Sequence, residues 1–475
     1  MRGRPERSAA AGGSRLRAAG GALAALAGGA LLAVAGWGSA ALPLPRIETS
    51  APSVAVAVAP GAQQRVCPGG LAAPSGGGEA GLAVTGSVTP LAAGDLERLS
   101  SAGLAGDAEG AAGASAPVAY AAPGTRDDGV PTSLSVSQLV DAQDPRATGL
   151  SVTPCAQPLA EQWLLGGSTA LGSASVLSLV NPTGSTSTVR LELHGPQGPI
   201  EAPGTSGIEV PAFSQRLLPL AGFAPEVAEL AVHVLSSGGT IAASLHRSDA
   251  AGTTPLGVEI LPAVPAAAER LRFVSVPFTA SAQEAGAPVS RAKGASLRLL
   301  APGESPVRVS LGLRDPDGAR LEPVELVLQP GVVTDVPLGD APVGRYTVEA
   351  DGDGPLLGAL RTTTASGRSD SAWALPAPPL TGEQAIGVAR GPDPRLAVYN
   401  PGEAAVELEL HGPDGEQRIR VEPGASWQQR VAPGGYRLLG LEGESVSLGY
   451  AGEGRLALLA VTPGNPLAGP VTVYR

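Results

Sequence analysis

The stretch "NPGEAAVELELHGPDG", Asn400 to Gly415, decides how this chain is read. One turn signal opens it and another, G-P-D-G, closes it. Between them Val406, Leu408 and Leu410 alternate with Glu407 and Glu409, the period of a strand with one face in a core and one in water. The same phrase stands earlier as "NPTGSTSTVRLELHGPQG", Asn181 to Gly198, and more loosely as "APGESPVRVSLGLRDPDG", Ala301 to Gly318. There Val189, Leu191 and Leu193, and then Val309, Leu311 and Leu313, take the inward places. A chain that spells one strand-between-turns three times is built from copies.

The copies extend in both directions. Each phrase is preceded by an apolar strand, "ASVLSLVNP", "ASLRLLAPG" or "PRLAVYNPG", and further up by an aromatic lead-in carrying Trp163, Phe273 or Trp373. Each is followed by a short strand with proline and then by a strand pair, such as "RYTVEADGDGPLLGALR". The copies start about 100 to 120 residues apart, which suits tandem domains rather than solenoid units. Short strands with turns every few residues predict all-β, immunoglobulin-like β-sandwiches at 159–265, 266–366 and 367–475. Residues 46–158 read as a membrane-proximal β-rich region with flexible loops, a fourth unit or a partly disordered stalk.

Composition agrees with strands. Among 475 residues there are 66 Gly and 46 Pro, yet 43% are hydrophobic, too many for a disordered chain. Aromatics make up 3%, so cores must come from Val, Leu, Ile and Ala. The first 45 residues differ. A basic stretch, 1–17, precedes an uncharged apolar run from Ala18 to Pro45. Such a run is long enough to cross a bilayer, with the arginines keeping the N-terminus cytoplasmic. The expectation is a transmembrane signal anchor over 18–42, or a signal peptide cleaved near "GSAA", Gly38 to Ala41. Either sends the rest of the chain across the membrane, and the anchored form would be a single-pass cell-membrane protein. Two cysteines, Cys67 and Cys155, then read as one disulfide of an oxidising compartment. The net charge is −11, and −15 once the basic tail with its five Arg and Glu6 is set aside. A surface of that sign repels phosphate backbones, so nucleic acid is not an expected partner.

Taken together, the basic start, one membrane segment, "VCPG" at Val66 to Gly69 and the N-P turn leading to "LHGPQG" at Leu193 to Gly198 resemble the actinobacterial family catalogued as "domain of unknown function 5719". The resemblance spans roughly residues 15 to 475 and implies an extracytoplasmic β-protein. It brings no activity and no catalytic residues.

Catalytic motifs are weak throughout. His194 and His411 end the same strand in two copies, but the middle copy has Arg314 there, which reads as a rim position rather than a ligand. His233 and His246 lie on successive strands with no Cys, Asp or Glu evident beside them, so no metal is expected. "GGSTA", Gly166 to Ala170, lacks the last glycine of a nucleophile elbow. "DPDG" at Asp315 and "DGDG" at Asp351 read as hairpin turns rather than calcium loops. "GGGEAG" at Gly76 follows from local glycine content, and no G-K-[ST] follows any glycine loop. Of the aromatics that might stack on sugar, Tyr399 and Tyr436 are available, while Trp427 has no counterpart in the other copies and is the best single candidate for a ligand contact. The sequence therefore predicts a non-catalytic, membrane-anchored extracytoplasmic protein without cofactor, a structural or accessory component of the cell envelope. Its partners would be the membrane and envelope proteins or glycans. A glycan-binding or adhesion module is the alternative, and a secreted hydrolase comes third.

Overall fold

The computed structural model describes residues 61–74, 82–107, 115–279, 294–338, 341–364 and 370–464, with the backbone of Ser53–Val56 and Val471–Tyr474. Those last two segments pair antiparallel in a compact unit made of residues 1–57 and 470–475. The anchor expected over 18–42 lies outside the described residues. Among the described residues no helix is long and apolar enough to cross a membrane.

Residues 58–469 form the second compact unit, and its described strands pair antiparallel. Alternation becomes layering: Val189, Leu191 and Leu193 are buried, Arg190 is exposed and Glu192 half-buried. Each copy holds two sheets. In copy 1, Glu161–Gly167, Leu230–Ser237 and Ser187–Gly195 form one sheet with two short strands beside them. Ser214–Pro219, Ser173–Asn181, Ala242–Ala251 and Thr254–Pro262 form the other, in that order.

Copies 2 and 3 repeat this with one change. The strands that are separate in copy 1 are fused into Gly344–Thr363 and Gly434–Gly452, each of which crosses from one sheet to the other. "DGDG" is therefore not a hairpin turn. It is the corner at which one long strand leaves the pairing with Val307–Arg314 and joins Ser296–Leu300. Copy 2 also runs further than 366, because Ser371–Ala374 pairs with Gly344–Thr363. Trp373 thus sits on the last strand of copy 2, whereas Trp163 sits on the first strand of copy 1, so the two lead-ins are not equivalent.

The cores run into one another. The copy 1 core takes in Leu300, Leu357 and Trp373 of copy 2, and the copy 2 core takes in Leu456 and Leu458 of copy 3. Leu139, Leu150 and Val152 of the N-terminal region belong to the copy 3 core. The described part of residues 61–158 is therefore packed into the repeats, with Ser87–Gly94, Leu134–Asp144 and Ala147–Pro154 forming a three-stranded sheet. Cys67 and Cys155 are joined in a buried disulfide across a separation of 88 residues. Closing a loop of that size stabilises by about 4–5 kcal/mol in the chain-entropy model.

Candidate functional site

Four strands sit at the edge of their sheets yet inside the protein: Ala147–Pro154 of the N-terminal region, Thr254–Pro262, Ser371–Ala374 and Arg455–Ala460. The first packs on the second and fourth, and the third packs on the same two, so the four inner strands meet around one centre. A buried edge strand exposes a row of N–H groups with no ladder partner, and each costs about 1–3 kcal/mol if unsatisfied.

Asp370 resolves most of that problem. Its Oδ2 accepts from Leu150 N at 3.0 Å and Leu456 N at 3.1 Å, its Oδ1 from Ser371 N at 2.9 Å, and Val258 N also donates to the carboxyl. One side chain thus takes a backbone N–H from each of the four inner strands. Gly149 and Gly257 make the room, since a Cβ there would lie 2.5 and 2.9 Å from Asp370 Oδ1. Burial pushes the Asp370 carboxyl up to about 7, against the N–H bonds that pull it down.

Glu259 works beside it. Its Oε1 accepts from Ser151 Oγ at 2.5 Å and Ile260 N at 3.2 Å, and its Oε2 from Trp373 N at 3.1 Å. Burial pushes this carboxyl up to about 8. Two buried carboxyls with raised pKa are what an acid–base pair would show. Here both oxygens of each are occupied by groups that hold strands together, which is the chemistry of a structural cap.

Charged groups at the copy boundaries follow the same rule. Arg298 of copy 2 is bidentate to Asp335 at 2.7 and 2.8 Å and donates to Gly167 O of copy 1 at 2.6 Å. Its guanidinium and that of Arg247 each lie 5.3 Å from the Trp373 ring centroid. Tyr399 of copy 3 donates to Glu349 of copy 2 at 2.5 Å, where Arg314 also binds at 3.0 Å.

The structure separates the four histidines. His194 Nδ1–H donates to Gly331 O of copy 2 at 3.0 Å, and Val333 N donates to Gly195 O beside it. Arg314 holds the matching place in copy 2, and a Cβ on Gly424 of copy 3 would lie 3.2 Å from its Nη1. The position is a junction to the next copy. His411, near the end of the matching strand in copy 3, lies 3.7 and 3.5 Å from Glu409 and Glu416, with 34% of its side chain exposed. His233 does have acidic neighbours, contrary to the sequence reading: Glu192 at 2.8 Å and Glu161 at 3.0 Å, brought in from two flanking strands. It also stacks on Trp163, 4.1 Å between centroids. His246 lies in the other sheet, fully buried. Its Nδ1 accepts from Ala72 N at 2.9 Å, and burial lowers its pKa to about 3. Among the described residues no cluster of three His, Cys, Asp or Glu is placed to hold a metal.

The remaining candidates are buried or half-buried. Ser168 of "GGSTA" is fully buried, with its N–H bound to Ser175 Oγ at 2.9 Å. Tyr399 and Tyr436 are 1% and 4% exposed. Trp427 is half-buried on an edge strand and packs against the copy 3 core. "GGGEAG" lies outside the described residues.

A family model described as "Family of unknown function (DUF5719)" matches residues 107–431, more than half of the chain. The chain belongs to that family. The match begins after Val66 to Gly69, so the "VCPG" phrase is not part of it. No curated protein matches the sequence. Among solved structures, the chain is similar to Thermotoga maritima 1070 at 14% identity, covering 22% of this chain and 88% of that one, with a TM-score of 0.19. A Bacteroides uniformis beta-glucuronidase shows 12% identity over 54% of this chain and 27% of its own, TM-score 0.12. A Streptomyces avermitilis alpha-L-rhamnosidase complexed with L-rhamnose shows 11% identity over 84% and 58%, TM-score 0.12. Likenesses of this degree carry no argument about activity.

Proposed function

We propose that this protein is a non-catalytic, extracytoplasmic component of the cell envelope, held at the membrane by the apolar segment 18–42 and acting as a structural or accessory element. The observation that carries this reading is the use made of Asp370 and Glu259. The two most acid-like candidates for chemistry spend their oxygens on backbone N–H groups of the inner strands. The buried Cys67–Cys155 disulfide supports an oxidising compartment. The test is protease access in the source cells. Protease added to intact cells, after the wall is removed, is expected to cleave the region after residue 45. Protection there, with cleavage in inverted vesicles, would place that region inside and end the proposal.

A further inference from the structure

Beyond the junction the inner strands leave through proline-rich ends: Pro154, then Pro262 and Pro265, Pro376 and Pro378, and Pro463. These ends line a cavity of about 420 Å³, its exposed surface mostly apolar. That volume falls within the roughly 300–1,000 Å³ of small-molecule sites. Proline has no N–H and a fixed φ, so this wall is stiff and poor in hydrogen-bond donors.

Two ionisable side chains reach the cavity, Arg65 and Glu259. Burial pushes the Glu259 carboxyl up to about 8, which favours its neutral form, and its oxygens are already taken by Ser151, Ile260 and Trp373. Arg65 is 6% exposed, and its pKa, lowered by burial to about 10, still leaves it charged. Among the described residues its hydrogen bonds go to neutral acceptors: Gln64 O at 3.0 Å, Gly464 O at 2.9 Å and Gln63 Oε1 at 3.5 Å. Those use three of the five N–H groups that a guanidinium carries.

Two other deeply buried arginines show a contrast. Arg247 and Arg298 each have an aspartate bound bidentately, at 2.9 and 3.1 Å and at 2.7 and 2.8 Å. Arg65 has no carboxylate within ion-pair distance among the described residues. A buried cation without a partner is costly, and in native proteins such charges are paired. Arg65 lines the apolar cavity.

We propose that this cavity binds a small amphiphile with an apolar body and one anionic head, a carboxylate or phosphate, held by Arg65. The prolines and the aliphatic residues between them receive the body. The site is distinct from the junction at Asp370 and does not depend on the compartment in which the protein works.

Equilibrium dialysis of the full chain in lipid nanodiscs tests this, with octanoate, octyl phosphate and octanol as probes and empty nanodiscs subtracted. The expected result is saturable one-site binding of at least one anion, tenfold or more tighter than octanol. Arg65→Gln should weaken that anion about tenfold or more and leave octanol unchanged, since a charge-assisted bond is lost. Ala263→Phe, which fills the cavity and keeps the charge, should abolish all three. If Arg65→Gln does not fold, Arg65→Lys serves, and it should keep the preference for the anion. The two anionic probes decide between carboxylate and phosphate. No saturable binding, or octanol bound as tightly as both anions, overturns the proposal.

Discussion

Asn181 and Asn400 open the repeated phrase in copies 1 and 3, and they do the same work. Each amide N–H₂ donates to two carbonyls, Ser185 and Val210 for the first, Ala404 and Val421 for the second. Each Oδ1 accepts the N–H two residues on, from Thr183 and Gly402. At the centre of the molecule the pattern is different. Four inner strands arrive from four regions, and a single side chain, Asp370, accepts from all of them. The periphery of copies 1 and 3 meets the same local problem, so the same solution serves in both. The centre is one place, so one residue from one copy fills it.

The largest test of that contrast is Asp370→Ala. It leaves buried N–H groups of four strands without an acceptor, at about 1–3 kcal/mol each, and the expected loss is roughly 4 kcal/mol or more. Asn400→Ala should cost about 1–2 kcal/mol, as it frees partners in one copy only. Denaturant unfolding of both variants checks the ratio, and equal losses would break the comparison.

A second effect comes from Glu259 and follows pH. Between pH 6.5 and 8 native Glu259, with its pKa pushed up to about 8, holds a proton that the unfolded chain has released at its ordinary 4.5. The native state binds more protons, so stability falls as pH rises, by up to about 1.4 kcal/mol per pH unit. Asp370, pushed up to about 7, adds to the slope below that pH. Under pH 6.5 His246, lowered to about 3, opposes both, because the unfolded chain takes up a proton there that native His246 refuses. The Tm should therefore drop from pH 6.5 to 8, and Glu259→Gln should flatten the drop. A Tm that rises over this interval would show that Glu259 is ionised in the native state.

The smallest difference separates two copies of one position. His194→Ala removes a bond to the next copy and should cost about 1 kcal/mol, whereas His411→Ala should stay within about 0.5 kcal/mol. Equal costs would mean that the position matters within its own strand and not at a junction.

How much of this was legible can be judged residue by residue. The alternation at Val406, Leu408 and Leu410 and the N-P turns are local signals, and the structure bears out strands between turns at each copy. The cysteine pair was legible because only one pairing exists. "DGDG" was misread, since the same residues that tolerate a hairpin turn also tolerate a corner in a continuous strand. Glu161 and Glu192 were missed as neighbours of His233, because pairing between strands far apart in sequence puts them there. Trp373 was matched to Trp163 by composition, while its pairing places it on the last strand of copy 2.

By itself the sequence determined the strand period, the turns, the repetition and the disulfide, because each depends on side-chain type at short spacing or on a count. Tertiary structure alone decided that the copies share cores and that inner edge strands meet. It also decided that Asp370, in an unremarkable "RSDSAW", holds four of them, and that Arg65 is left beside an apolar cavity. Those outcomes depend on which groups burial brings together and which it leaves without a partner. That is a property of long-range packing, which no local pattern encodes.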